Sequence, residues 1–299
     1  MTNADDVRVE IHAQGNILHA TLHAGRYQQF GARLALLLEE LLEHVEADPE
    51  IRAVVFSSAH PERFISHADV QWLQEGGAEY LARQQAMPEP APPAADHVGL
   101  DRLHRLFLRM NGLGVIFIAA LEGHALGLGA EFAWACDLRV MADEDAFIGQ
   151  PEILLGIMPG GGGTQRLSRL VGVHASLAAI LEGRPFTSKQ ALALGAVDAA
   201  VPKADVLGHA LTLAHQLAGR HKPSIGSIKR AVYFGSSLPL QDGIALEAKE
   251  FLGLDVAPEG QERMLAYQAG TEALLDLPLY VGDYYQNAIT TGRLPARYG

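Results

Sequence analysis

Apolar and polar positions alternate in two short stretches near the N-terminus, VRVEIH and ILHATLH within residues 7–23. Period-two alternation predicts a pair of strands, each with one face on a core. The AQGN between them supplies turn residues. The period then changes. Leu34, Leu37, Leu38, Leu41 and Leu42 recur at helical spacing and predict an amphipathic helix over 30–45. IRAVVFSS, at 51–58, is a short β-branched run and predicts a buried strand. Residues 60–69 lack a period and predict a loop. Helical spacing resumes at 100–110, and an apolar run at 115–121 predicts a strand. A glycine-punctuated turn at 123–129 leads into a helix at 130–136 and a strand at 138–141. Strands and helices therefore alternate to residue 200, which predicts an α/β fold with parallel pairing. From 204 onward the pattern is helical, with candidates at 207–217, 224–234, 240–252 and 259–275. Residues 84–96 hold Pro88, Pro90, Pro92 and Pro93 and predict a mobile loop inside the domain. Residues 278–299, rich in Tyr, Gly and Pro, predict an irregular arm. The expected division is a core over 1–203 carrying the active site, a helical region over 204–277 and an arm over 278–299.

Composition narrows the classes. Of 299 residues, 48% are hydrophobic, enough for one large core. A net charge of −12 argues against a nucleic-acid partner engaged through a general basic surface. Cys136 is the single cysteine, so no intrachain disulfide forms and a reducing compartment is expected. The acidic N-terminus, MTNADDVRVE, does not resemble a secretory signal, and no apolar run reaches membrane-spanning length. The expectation is a soluble, cytoplasmic protein without a membrane or nucleic-acid partner.

Two segments carry candidate chemistry. In AALEGHALGLGAEFAWACD a strand enters a turn holding Gly123, Gly127 and Gly129, then a helix. A helix start offers free N–H groups and a positive dipole end, suited to a developing oxyanion. Glu131 lies in the first turn of that helix. In IGQPEILLGIMPGGGG, Pro151 restricts the backbone before Glu152, and 160–163 form a small-residue turn. That glycine run lacks the Lys-Ser/Thr of a P-loop and the spacing of a dinucleotide fingerprint. Periodicity and composition reach no further than two acidic residues near glycine-rich turns.

The order of the motifs adds more. GHALGLGAEFAWACDLRVMAD followed by FIGQPEILLGIMPGGGGTQRL resembles the signature of the enoyl-CoA hydratase/isomerase, or crotonase, family. FISHADV at 64–70 resembles that family's earlier oxyanion loop, and LEGRPFTSKQALALGAVDAAVP resembles the stretch closing its core. The resemblance covers roughly residues 7–270. It implies a crotonase-like spiral of repeated ββα units followed by a helical trimerisation region. A homotrimer or dimer of trimers is implied with it.

The resemblance also implies roles. The thioester carbonyl of an acyl-CoA is held by the backbone N–H groups of Ala68 and Leu128, with leucine where the family often has glycine. Glu131 and Glu152 are the implied acid/base pair, which favours reversible hydration of a 2-enoyl-CoA to a 3-hydroxyacyl-CoA. Double-bond isomerisation, thioester hydrolysis, decarboxylation and a non-catalytic acyl-CoA-binding subunit are the alternatives. Implied contacts to the substrate or its CoA come from Arg63, Phe64, Ile65, Ser66, His67, Asp69, Gly127, Pro151 and Gly160. His67 stands where the family has glycine, and Asp69 is expected to tether the loop. Lys229 or Arg230 is a further candidate for the CoA phosphates. No metal is implied, and no cofactor beyond the CoA of the substrate.

Overall fold

The computed structural model describes residues 6–86 and 100–295. The chain opens with β1 (Val7–Gln14) and β2 (Ile17–Ala24), an antiparallel pair turned at Gly15 and Asn16. Helix α1 (Ala32–Ala47) buries Leu34, Leu38, Leu41 and Leu42, the stripe its spacing predicts. Then come β3 (Ala53–Ser58), β4 (Arg63–Ile65), α2 (Val70–Ala86) and α3 (Leu100–Gly112). They are followed by β5 (Ile116–Leu121), β6 (His124–Leu126), α4 (Leu128–Ala135), β7 (Leu138–Ala142) and β8 (Phe147–Gly149). A single 3-10 turn, Glu152–Leu155, precedes α5 (Gly163–Val171), α6 (Val173–Glu182), β9 (Phe186–Thr187), α7 (Ser188–Leu194) and β10 (Ala199–Val201). The rest is helical: α8 (Val206–Ala218), α9 (Lys222–Tyr233), α10 (Leu240–Asp255), α11 (Pro258–Leu274) and α12 (Gly282–Thr291).

Two sheets organise the core. The first has the order β1-β2-β3-β5-β7-β10 and is parallel from β2 to β10. The second has the order β4-β6-β8-β9, with β9 antiparallel. From β3 to β8, successive strands therefore alternate between the sheets. Each excursion, β3–β4–α2, β5–β6–α4 and β7–β8–α5, is one ββα turn of a spiral. All six residues of the central strand β5 are buried, as the apolar run predicts for a strand covered on both faces.

The layers meet at Phe132 on α4. Its ring lies 5.9 Å from Phe30, 5.0 Å from Phe56, 5.9 Å from Phe64 and 5.8 Å from Phe107. Every residue of α4 is buried. Burying each such ring contributes roughly 1.5–3 kcal/mol, so the helix after Gly127 has little freedom to move. Helix α8 covers the first sheet through Val206, Ala210, Ala214 and Ala218, a buried stripe at four-residue spacing.

Several expectations change. The stretch predicted as a loop contains β4, and the glycine-punctuated turn contains β6. Strands of three residues are shorter than any window in which periodicity registers. Gln84 to Ala86 complete α2 instead of opening a loop; the proline-rich remainder lies outside the described residues. The predicted irregular arm contains a 3-10 turn at Pro278–Tyr280 and the helix α12. Helix α12 buries no residue and so shows no apolar stripe. Among the described residues, no helix is long and apolar enough to cross a membrane.

Candidate active site

The first half of the site is the segment between β4 and α2. Phe30 and Ala68 form an isolated parallel bridge, in which Phe30 N–H donates to the His67 carbonyl at 2.9 Å and Asp69 N–H donates to the Phe30 carbonyl at 2.8 Å. In a trans peptide, the carbonyl and the following N–H point opposite ways. The bridge therefore aims the Ala68 N–H away from Phe30, and that group makes no hydrogen bond within the described residues. The neighbouring loop is latched in the same way. Ser66 N–H donates to the Gln28 carbonyl at 2.7 Å, and Ser66 Oγ donates to the Tyr27 carbonyl. Asp69 accepts from Gln71 N–H at 2.9 Å, so its carboxylate caps the start of α2 and holds the segment's far end. Phe64 and Ile65 are fully buried, and whatever they offer a ligand is main chain. Arg63 is half-buried, with its guanidinium 3.5 Å from the Tyr27 carbonyl.

The second half is the turn from β6 into α4. Gly127 adopts φ 51° and ψ −126°, a conformation that an L side chain resists. A Cβ there would also lie 3.0 Å from Glu152 Oε1 and 3.3 Å from the His67 Cβ. Leu128 is the first residue of α4, so its N–H has no acceptor inside the helix. One turn on, Glu131 is 2% exposed. Its Oε1 accepts from Gly161 N–H at 2.8 Å and Gly163 N–H at 2.7 Å. A Cβ on Gly161 would lie 2.5 Å from Glu131 Oε2, and one on Gly163 would lie 2.9 Å from Glu131 Oε1. The glycine run thus lets main chain close over a carboxylate. Gly160, the run's predicted ligand contact, is pinned instead through its carbonyl to His104 Nε2 at 2.7 Å. Burial pushes the Glu131 carboxyl up to about 7 against the pull of the two N–H donors and the Arg166 guanidinium.

Glu152 opens the 3-10 turn behind Pro151. Burial, together with the charge of Glu131, pushes its carboxyl up to about 7 as well. Its polar partner is Gln150, 2% exposed. With its nitrogen turned to Glu152, the Gln150 amide donates to both carboxylate oxygens, at 2.6 and 2.8 Å. Turned the other way, the nitrogen donates to the Gly127 carbonyl at 3.3 Å. The amide oxygen then faces the carboxyl and is satisfied when Glu152 carries a proton. Gln150 was not among the residues singled out in the sequence. It lies in the same GQPE string and is a polar residue in an apolar stretch beside a proline, which was the available signal.

Two candidates leave the site. Lys229 Nζ donates to the Val115 carbonyl and to Asp137 Oδ2, both at 2.7 Å, over the Phe117 ring. Arg230 forms a fork with Glu250 at 2.8 and 2.5 Å. Both are spent on joining α9 to the core and to α10, so neither is free for a CoA phosphate. Cys136 is buried at the end of α4, and Asp137 ties α9 to β5.

A spiral of ββα turns followed by a helical region is the fold of a crotonase. Solved structures share that fold: the chain aligns over 88% of its length with 94% of an enoyl-CoA hydratase from Geobacillus kaustophilus, at TM-score 0.76 and 27% identity. A second alignment, with an enoyl-CoA hydratase from Polaromonas, covers 87% of the chain and 96% of that structure, at TM-score 0.74 and 26% identity. The enoyl-CoA hydratase/isomerase family model matches residues 13–269, and the chain belongs to that family. Among curated relatives, the fatty acid oxidation complex subunit alpha of Shewanella loihica is 34% identical over 74% of the chain. The corresponding protein of Shewanella frigidimarina is 35% identical over 67%. The chain spans under a third of those relatives, 30% and 26% of their lengths.

Proposed function

We propose that the protein is an enoyl-CoA hydratase, adding water reversibly across the double bond of a 2-enoyl-CoA to give a 3-hydroxyacyl-CoA. The observation that carries this reading is the pair of carboxyls, Glu131 and Glu152, each raised to about 7 and each supported differently. Hydration needs one ionised carboxylate and one protonated carboxylic acid at the same time. Two groups that interact and titrate near neutrality supply that state.

In this scheme the thioester carbonyl accepts from the Ala68 and Leu128 N–H groups, two donors with no main-chain acceptor among the described residues. Glu131, whose ionised form two N–H groups stabilise, takes a proton from water. The water oxygen bonds to the β-carbon, and the π electrons move onto the thioester oxygen between the two donors. Glu152, in its protonated form, then delivers a proton to the α-carbon. Water is consumed, and the pair is left with one proton, now on Glu131. Gln150 serves Glu152 in both protonation states by exchanging the faces of its amide. Arg63 is the remaining cation on the loop for the CoA phosphates. Removal of one oxyanion donor costs about 3–4 kcal/mol in other acyl-transfer sites, so the scheme depends on both N–H groups being aimed.

A homotrimer or dimer of trimers completes the reading. Its support is the exposed apolar surface of Leu154, Leu155 and Met158 after Glu152 and of Val173, Leu177 and Leu181 on α6, the helix that contacts the Glu152 turn. The names of the curated relatives support a role in fatty acid oxidation. Turnover of crotonyl-CoA and longer 2-enoyl-CoAs, followed by loss of the conjugated thioester absorbance and by product mass, tests the activity. Hydration is the expected product. Folded protein that returns only isomerised, hydrolysed or decarboxylated thioester, or none, overturns it.

A further inference from the structure

The hydration scheme leaves one side chain of the Ala68 segment without a task. His67 Nδ1 lies 2.6 Å from the Ala68 carbonyl oxygen. A carbonyl oxygen only accepts, so the ring proton sits on Nδ1. In an extended residue the N–H and C=O point to the same side, and Ala68 is the central residue of the bridge to Phe30. The imidazole is therefore bonded on the face of the segment that also presents the Ala68 N–H. The stem of the same side chain reaches the other half of the site. The His67 Cβ is 3.3 Å from the point where a Gly127 Cβ would stand, and Gly127 immediately precedes Leu128. One residue thus has its ring on the segment that carries one candidate donor and its stem against the turn that carries the other.

We propose that His67 is a positioning residue that fixes the aim and the spacing of the two main-chain donors. The Phe30 bridge holds both peptides that flank Ala68, through the His67 carbonyl and the Asp69 N–H. The imidazole adds a second anchor to the later peptide, through the Ala68 carbonyl. With both flanking peptides held, the Ala68 N–H cannot swing. The approach of its Cβ to within 3.3 Å of the point where a Gly127 Cβ would stand then limits how closely the segment can move toward the start of α4. The inference rests on the reading above only in that a thioester carbonyl occupies the space between the donors.

Two variants separate the hydrogen bond from space filling. His67→Leu fills the volume without a donor, and His67→Asn places an amide N–H near the position of Nδ1. With crotonyl-CoA, the leucine variant is expected to lose roughly ten- to a hundredfold in kcat with KM within about twofold, because an oxyanion donor strengthens in the transition state. The asparagine variant is expected to recover to within about threefold of the parent. The second readout is the absorption of bound cinnamoyl-CoA, a conjugated thioester whose band moves to the red as its carbonyl is polarised. The parent and the asparagine variant show the red shift; the leucine variant loses most of it. A leucine variant that keeps both the rate and the red shift overturns the proposal and leaves the hydratase reading standing. A parent protein that hydrates no enoyl-CoA, yet shifts the cinnamoyl band in a His67-dependent way, supports the positioning role and removes the hydratase reading.

Discussion

Glu131 and Glu152 lie within electrostatic reach of each other on two very different supports. Glu131 stands on α4, where every residue is buried and the adjacent Phe132 contacts four other phenylalanine rings. Its carboxyl is gripped by the main chain of Gly161 and Gly163. Glu152 stands on a single 3-10 turn, followed by Leu154, Leu155 and Met158, which are 72%, 66% and 66% exposed. Its partner is one side-chain amide that can face it in two ways. Both carboxyls nevertheless arrive at about 7. Burial does most of the work in each. The donors at Glu131 oppose it, and the neighbouring charge at Glu152 adds to it. The same proton affinity is thus reached with a rigid group and with an adaptable one, which suits a base that must hold water in place and an acid that must deliver a proton.

The comparison is broken most severely by Glu131→Gln and Glu152→Gln. Each is expected to lower kcat by roughly 10²–10⁴-fold, measured with crotonyl-CoA. At residue 131 the amide oxygen can still accept both glycine N–H bonds, so the variant stays folded. Glu131 takes up its proton more readily in the folded chain than in the unfolded one. Stability therefore falls as pH rises from about 4.5 to about 7, by up to ~3 kcal/mol. Urea titrations at pH 5 and pH 8 are expected to show that loss reduced in Glu131→Gln.

Smaller effects sharpen the contrast. Gly161→Ala and Gly163→Ala push a methyl to 2.5 and 2.9 Å from Glu131 oxygens. Each is expected to cost about 1–3 kcal/mol of stability and to lower kcat, because the buried Glu131 carboxyl must shift to make room. Gly156, at the end of the Glu152 turn, has open space around it and only its positive φ of 73° to lose. Gly156→Ala is expected to cost about 1 kcal/mol and to keep most of the activity. Thermal melts and kcat for the three variants check the ranking.

How far the sequence foretells this depends on distance along the chain. Residues 34, 38, 41 and 42 repeat locally, so α1 is legible. Glu131 is legible as a first-turn acid because the glycines before it lie within a few residues. Its cradle is not, because Gly161 and Gly163 are thirty and thirty-two residues away and their run has no dinucleotide or P-loop spacing. Strands β4 and β6 escape notice because a three-residue strand has no period. Lys229 and Arg230 look free in the sequence because the pattern of a basic dipeptide does not reveal Asp137 and Glu250 waiting in the fold.

The most direct test of the central claim, that one proton is shared by two carboxyls, is the pH dependence of kcat/KM for crotonyl-CoA between pH 5 and pH 9. Below the pair's titration both groups are protonated and no base remains; above it both are ionised and no acid remains. A bell with its maximum near pH 7, the region to which both carboxyls are raised, is the predicted result. A rate that is flat across the range, or that keeps rising to pH 9, contradicts the account.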